Sequence, residues 1–469
     1  MRVQSAERIQ AMGQDPIWKL LVRFSTPTII SMMVASSYNI VDAIFVGRLG
    51  PEALAALAIV FPLMMIFHAI SIGTGAGAAS LIARRFGAGD NEGANHVAGV
   101  TLGITLLIGA LMTAICLPNL EGILRLFGAS GAILTPAMDY MSVLATFAIL
   151  AFFPIVVNTI VRAEGNPILA SAVMIVSALT NIILDPILIF GVGPIPAMGV
   201  AGAATATVIA RSIGVLILLV YFVSGRTSYR FRPYYFLPNF LILKEIYRVG
   251  IAAIVQSAAG SIVMILVNRT AASFGDIPLA VMGVIFRAIS FIFMPCVGIG
   301  QGMMPLIGFN FGAGKLLRVG ETVIKGGMAS TVWSTLWWGI VLLFPAPIIS
   351  IFNSDPEFIE VGGEAIRIFG LVLFAIGIQI SSSFFFQGIG RGLPSLVLAS
   401  ARQVLFLLPC LLILPRIFGL TGLWAGFPVA DGLSAVLTLI WVIIQFRKLG
   451  IPIRWQSADS GTAEEVRQQ

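Results

Sequence analysis

Charged residues are scarce in this chain, 10% of the total, where a soluble domain carries about 25%. Hydrophobic residues make up 58%, more than one water-soluble core encloses, so a soluble globular protein is excluded. Cysteine is scarce too. Cys116, Cys296 and Cys410 lie inside apolar runs without CxxC spacing, which excludes a disulfide framework or a cysteine metal site. Histidine occurs twice, and neither HExxH nor GxSxG is found. The chain therefore carries no signature of a metalloprotease or a serine hydrolase, and neither an enzyme nor a bound cofactor is expected. The opening MRVQSAERIQAMGQDPIWKLL has no short apolar core followed by a small-residue cleavage site, so no cleaved signal peptide is read.

What the chain does have is apolar runs of about 20 residues, broken by short polar loops, the pattern of a polytopic helical membrane protein. Twelve spans are expected: 17–44, 52–80, 94–116, 134–159, 167–190, 199–223, 247–272, 278–305, 319–345, 362–388, 394–414 and 420–445. With the N-terminus inside and loops assigned alternately, 20 of the 28 Lys and Arg fall on the inner side. The positive-inside rule thus supports twelve spans with both termini cytoplasmic. The same placement explains the net charge of +7 as attraction to anionic lipid headgroups. Membrane lipids are the expected partners of those charges, and no nucleic-acid partner is expected.

The longest polar connection, SGRTSYRFRPYYFLPNFLILKEI, divides the chain into an N-terminal lobe (1–223), a cytoplasmic linker (224–246), a C-terminal lobe (247–446) and a cytoplasmic tail (447–469). The part of the tail after Trp455 is polar and expected to be disordered. The lobes repeat. GTGAGAASLIARRFGAG from Gly73 matches GIGQGMMPLIGFNFGAG from Gly298, offset by 225, and Gly50 with Gly275 and Phe61 with Phe286 keep that offset. GVAGAATA at Gly199 aligns with GLTGLWAG at Gly419, offset by 220. Six spans per lobe is an even number, so the lobes share one membrane orientation and are related by an axis along the membrane normal. The glycines read as positions where helices approach closely, since no strand precedes Gly73 and no GK[ST] follows it.

Three acids lie well inside spans: Asp42, Asp185 and Asp431. An ionised Asp near mid-bilayer costs about 2.5–3.5 kcal/mol on insertion scales, which marks each as a functional candidate. Span 1 reaches Asp42 and span 5 reaches Asp185 near their outer ends, at similar depth. Tyr38 precedes Asp42, and Asn181 precedes Asp185, by four residues, so each pair shares a helix face. The second lobe supplies a control: Asp42 aligns with Val267, Asp185 with Leu408 and Asn181 with Val404. A repeat that folds without these acids argues that they serve function. Asp431 aligns with Arg211, which leaves a structural pair or a cytoplasmic gate contact open for those two. Arg287 and Arg402 are expected to snorkel or cap carbonyls, and His68 to be a buried, hydrogen-bonded histidine.

The sequence resembles the multidrug and toxic compound extrusion (MATE) family over almost its whole length. The resemblance rests on the two six-span lobes, the repeated glycine-rich ends of spans 2 and 8 with their FGAG, VDAIFVGRLG in span 1, RAEGNP after span 4 and NIILDP in span 5. It implies an all-α integral membrane protein with twelve transmembrane helices in two pseudo-symmetric lobes, in a bacterial inner membrane. It implies secondary active export of drugs or organic cations in exchange for H+ or Na+, by rocking of the lobes and as a monomer. The branch it most resembles holds its cation in the N-terminal lobe; matching residues are Asp42, Tyr38, Asn158, Asn181, Asp185 and Thr207, with Pro27 matching a span-1 proline proposed to bend. A second branch uses acids on spans 7 and 10, where this chain has Gln256 and Ser381, Ser382 and Ser383. A flippase for lipid-linked precursors or polysaccharides, in the same superfamily, is the alternative.

Overall fold

The computed structural model describes residues 2–452, so the tail beyond, including the stretch after Trp455, lies outside the described residues. Among them the architecture is helical throughout. Eight helices are long and apolar enough to cross a membrane by themselves, and two bent pairs add one crossing each. The last helix, Leu408–Leu449, turns back at Gly419, whose φ of 59° is left-handed, and so supplies two crossings. Leu316–Leu343 has the length to cross, with Trp333, Trp337 and Trp338 in place of part of its aliphatic content. That makes twelve.

In the first lobe the spans are Ile17–Gly47, Pro51–Gly87, Asn91–Cys116, the pair Gly131–Thr146 and Ala148–Ala163, Pro167–Phe190 and Gly199–Val223. In the second they are Phe240–Ala272, Asp276–Gly312, Leu316–Leu343, the pair Pro356–Gly370 and Leu373–Gly388, Gly392 to the Gly419 kink, and from there to Leu449. They are numbered 1–12 below. Their starts follow local chemistry. Proline opens spans 2 and 5, where a missing N–H costs nothing. Asp90, Asn166 and Asn239 cap spans 3, 5 and 7 by accepting from backbone N–H groups.

The backbone repeats as the sequence does. Gly50 and Gly275 precede spans 2 and 8 at φ 125° and 122°. Span 4 breaks at Phe147 and span 10 at Val372, again 225 residues apart, bending their pairs by 56° and 46°. These breaks were not legible in the sequence, which read spans 4 and 10 as single runs.

The lobes meet on the face that carries the basic loops. Gly73 and Gly77 of span 2 lie against Ile254, Gly250 and Ile246 of span 7; Gly298 and Gly302 of span 8 lie against Ile29 and Ser25 of span 1. The Gly73–Ile254 contact maps onto Gly298–Ile29 by the same offset of 225. A Cβ on Gly77 would collide with the Ile246 carbonyl, so the close approach requires glycine. One buried cluster spans both lobes here, including Phe24, Ile82, Ile246, Met303 and Phe385. Toward the opposite face each lobe has its own cluster: Val60, Phe67 and Phe152 in the first, Ile285, Phe369 and Trp424 in the second. The molecule is sealed at the basic face and divided at the other.

A helix not anticipated from the sequence, Arg2–Gln14, straddles that seal. Arg8 donates to the Tyr221 hydroxyl (3.1 Å) and the Arg226 carbonyl (2.9 Å) of the first lobe. The carbonyls of Met12 and Gly13 accept from Asn310 (3.0 Å) and Lys315 (2.9 Å) of the second, and that of Asp15, just past the helix, accepts from Arg318 (2.6 Å). Directly between the lobes, Arg162 bonds Gln301, and the Ser80 hydroxyl donates to the Gln387 carbonyl.

Candidate functional site: buried oxygens in the first lobe

Asp185 is completely buried on span 5, and Asn181, one turn earlier, is 2% exposed. The Asn181 amide donates to Asp185 Oδ1 at 3.1 Å and reaches Thr207 Oγ1 on span 6 at 3.4 Å. Gly202 lets spans 5 and 6 approach this closely, because a Cβ there would meet the Leu188 carbonyl. Asp42, on span 1, lies within electrostatic reach of Asp185. Two carboxylates, an amide and a hydroxyl thus converge from three helices.

The oxygens left over define the site. Asp42 Oδ1, Asp185 Oδ2, Asn181 Oδ1 and Asn158 Oδ1 are all buried, and none has a hydrogen-bond partner among the described residues. All four are acceptors. An unmet buried acceptor costs about 1–3 kcal/mol, and native interiors rarely leave several so close in kind. A hard cation with oxygen ligands, or a proton, satisfies them. The residues present therefore fit H+ or Na+.

The structure does not bring every candidate together. Asn158 is 5% exposed on span 4, and no hydrogen bond joins it to the other four. Pro27 sits fifteen residues before Asp42, about 22 Å along a helix that rises 1.5 Å per residue; the helix runs through it unbroken. Its neighbours Ser25 and Ile29 are among the residues that touch span 8. Span 1 thereby connects the carboxylate region to the seal.

Asp431 requires a correction. Its partner is Arg402 of span 11, through two contacts from the guanidinium, and not Arg211. Arg402 accordingly neither snorkels nor caps carbonyls. Arg211 stays in its own lobe, within electrostatic reach of Tyr140 and His68. His68 is exposed rather than buried.

Tyr140 was missed. It is buried on the outer half of span 4, within electrostatic reach of Asp42, Tyr38, Asp185 and Arg211. The available signal was a tyrosine inside an apolar run at the depth of the two acids. Glu164, in the RAEGNP loop outside the spans, is a separate matter. Burial pushes its carboxyl above the ordinary range, opposed by bonds from Tyr221, Ser228 and Thr227. Those bonds tie the loop to the end of span 6 and the segment following it.

A family model described as MatE matches residues 27–187 and again 251–412, once in each lobe. The chain is 28% identical over 439 residues to the multidrug export protein MepA of Staphylococcus haemolyticus, covering 93% of this chain and 95% of that one. Two solved structures are similar at 30% identity. One, a MATE protein in the bent conformation, has a TM-score of 0.88 and covers 94% of this chain and 98% of its own. The other, an outward-facing multidrug resistance MATE family transporter of the MOP superfamily, has a TM-score of 0.87 and covers 95% and 99%.

Proposed function

This chain belongs to the MatE family, and we propose that it exports organic cations and drugs in exchange for H+ or Na+ held at Asp42 and Asp185. It is a multi-pass membrane transporter and not an enzyme. The observation that carries the coupling site is the set of four buried acceptor oxygens without donors. Two carboxylates in electrostatic contact cannot both stay ionised cheaply in a low dielectric, so they titrate as a pair. A bound cation relieves that repulsion.

The alternating states follow from where the molecule is sealed. The positive-inside rule supports reading its basic face as the cytoplasmic one, and on that reading the molecule is open outward. The lobes 1–223 and 247–446 rock about the glycine contacts of spans 1, 2, 7 and 8. Span 1 links the two events, because it carries Asp42 near one end and touches span 8 through Ser25 and Ile29 near the other. Loading the cation outside and releasing it inside must alter cargo affinity by the same factor that cargo alters cation affinity, the reciprocity on which antiport rests.

The test is ethidium efflux from proteoliposomes under an imposed proton gradient and, separately, a sodium gradient. Efflux under one gradient that disappears in Asp185→Asn supports the reading and names the ion. Equal efflux in wild type and variant under both gradients overturns the assignment of the site.

A further inference from the structure

The second lobe contains a charged pair that the coupling reading does not use. Asp431, at the middle of span 12, is 3% exposed, and the fork of Arg402 closes on both its oxygens. Gln379 of span 10 donates to the Asp431 backbone carbonyl at 2.9 Å. Beside Arg402, Gln403 points toward Gly260 of span 7 and keeps a buried Oε1 with no partner among the described residues. Spans 7, 10, 11 and 12 thus converge on this pair, as their repeat counterparts 1, 4, 5 and 6 supply the candidate residues of the first lobe.

Two features separate the pair from a structural tie. Arg402 is the second residue of a π-helical stretch, Ala401–Leu407. A π-turn in a long helix is wider and poorer in hydrogen-bond geometry, and such turns gather at functional sites. It gives the arginine a register that can change without unwinding the span. The two partners are also buried unequally: the Arg402 side chain is 26% exposed while that of Asp431 is 4%. The cation therefore borders open space and the carboxylate lies behind it. Where stability alone matters, a buried ion pair is replaceable by apolar residues at little loss, so its presence mid-span marks a use for the charge.

We propose that Asp431 is an anchor for the positive charge of the cargo and that Arg402 is its displaceable plug. An organic cation entering between the lobes replaces the guanidinium on Asp431, and Arg402 swings into the space it already borders. No bond is made or broken; one cation exchanges for another on a single carboxylate. The inference rests on the export reading for its cargo class. It places the cargo's charge in the opposite lobe from the coupling ion, so the two communicate through lobe movement rather than by sharing ligands.

The test is equilibrium binding of ethidium to purified protein in nanodiscs with no gradient present, for wild type, Arg402→Gln, Asp431→Asn and the double variant. Removing the plug tightens ethidium and removing the anchor weakens it, each on the order of tenfold, within the range of known coupling effects. The double variant binds as weakly as Asp431→Asn. Changes of the same sign in both single variants, or unchanged affinity in both, overturn the proposal and leave a structural tie. A single variant that fails to fold does not hide the answer, since the double variant removes both buried charges together and must then bind like wild type if the pair is only structural. Because the measurement uses no gradient, it reads out whether or not gradient-driven export is found.

Discussion

The two lobes share a backbone and differ in their charges. Spans 4 and 10 break 225 residues apart, spans 2 and 8 start from left-handed glycines, and the interlobe contacts of Gly73 and Gly298 are twins. Yet the first lobe buries two carboxylates with oxygens left unmet, whereas the second buries one carboxylate closed by an arginine. One lobe folds with Val267 and Leu408 where the other has Asp42 and Asp185. The fold therefore does not require those acids. What the repeat leaves out of one copy, at a cost in the other, is where function has been added.

The comparison breaks most visibly at Asp185. Asp185→Asn keeps the shape and one hydrogen-bonding oxygen but removes the charge. Gradient-driven ethidium transport should fall about 100-fold, near the top of the range that coupling free energies of about 1–3 kcal/mol span. Asp42→Asn should do nearly as much. The double variant should be little worse than either single one, because residues that act as a unit are non-additive. Additive losses in a proteoliposome assay would separate the two acids into independent sites.

A second test asks whether the lobes are as alike at the seal as their contacts suggest. Gly77→Val and Gly302→Val place side chains against the Ile246 carbonyl and against Ser25 and Phe24. Overpacking of this kind costs about 1–3 kcal/mol. Both variants should melt at lower temperature and slow transport by similar factors. A large loss in one and none in the other would show that the seal is carried by one pair of spans only.

The sequence shows the twelve crossings clearly because an apolar run of about 20 residues has few other uses. Its internal repeat aligns Gly73 with Gly298, and each occupies an interlobe contact. The pairing of Asp185 with Asn181 is legible as well, since a four-residue spacing fixes a helix face, whereas Thr207 enters only through the family resemblance. Other features leave little trace. The break at Phe147 occurs inside an apolar run without a proline or glycine beside it, and the one at Val372 has only Gly370 to mark it. The Asp431 partner, Arg402, lies 29 residues away on another helix, whereas the repeat alignment sets Asp431 beside Arg211. Tyr140 leaves little trace because its polarity is a single hydroxyl. The helix Arg2–Gln14 is polar overall and weakly amphipathic, so it reads as a tail until its carbonyls are seen to meet Asn310 and Lys315.

That helix has no counterpart among the described residues of the second lobe, which makes it a fine test of the comparison. It touches the first lobe through the Arg8 side chain and the second through backbone carbonyls. Arg8→Ala removes two hydrogen bonds on the first-lobe side and leaves those on the other side intact. A net value of about 1 kcal/mol per bond, partly replaced by water at an exposed position, predicts a roughly fivefold rise in the population open at the basic face. A cysteine at the fully buried Ala78, in a chain whose native cysteines are replaced, reports that population through its rate of labelling by a maleimide. A rise in rate with Arg8→Ala, matched by Lys315→Ala on the other side, would make the helix a strap that both lobes must release. An unchanged rate would leave the glycine contacts of spans 1, 2, 7 and 8 holding the seal by themselves, and the two halves of the molecule more alike than the strap suggests.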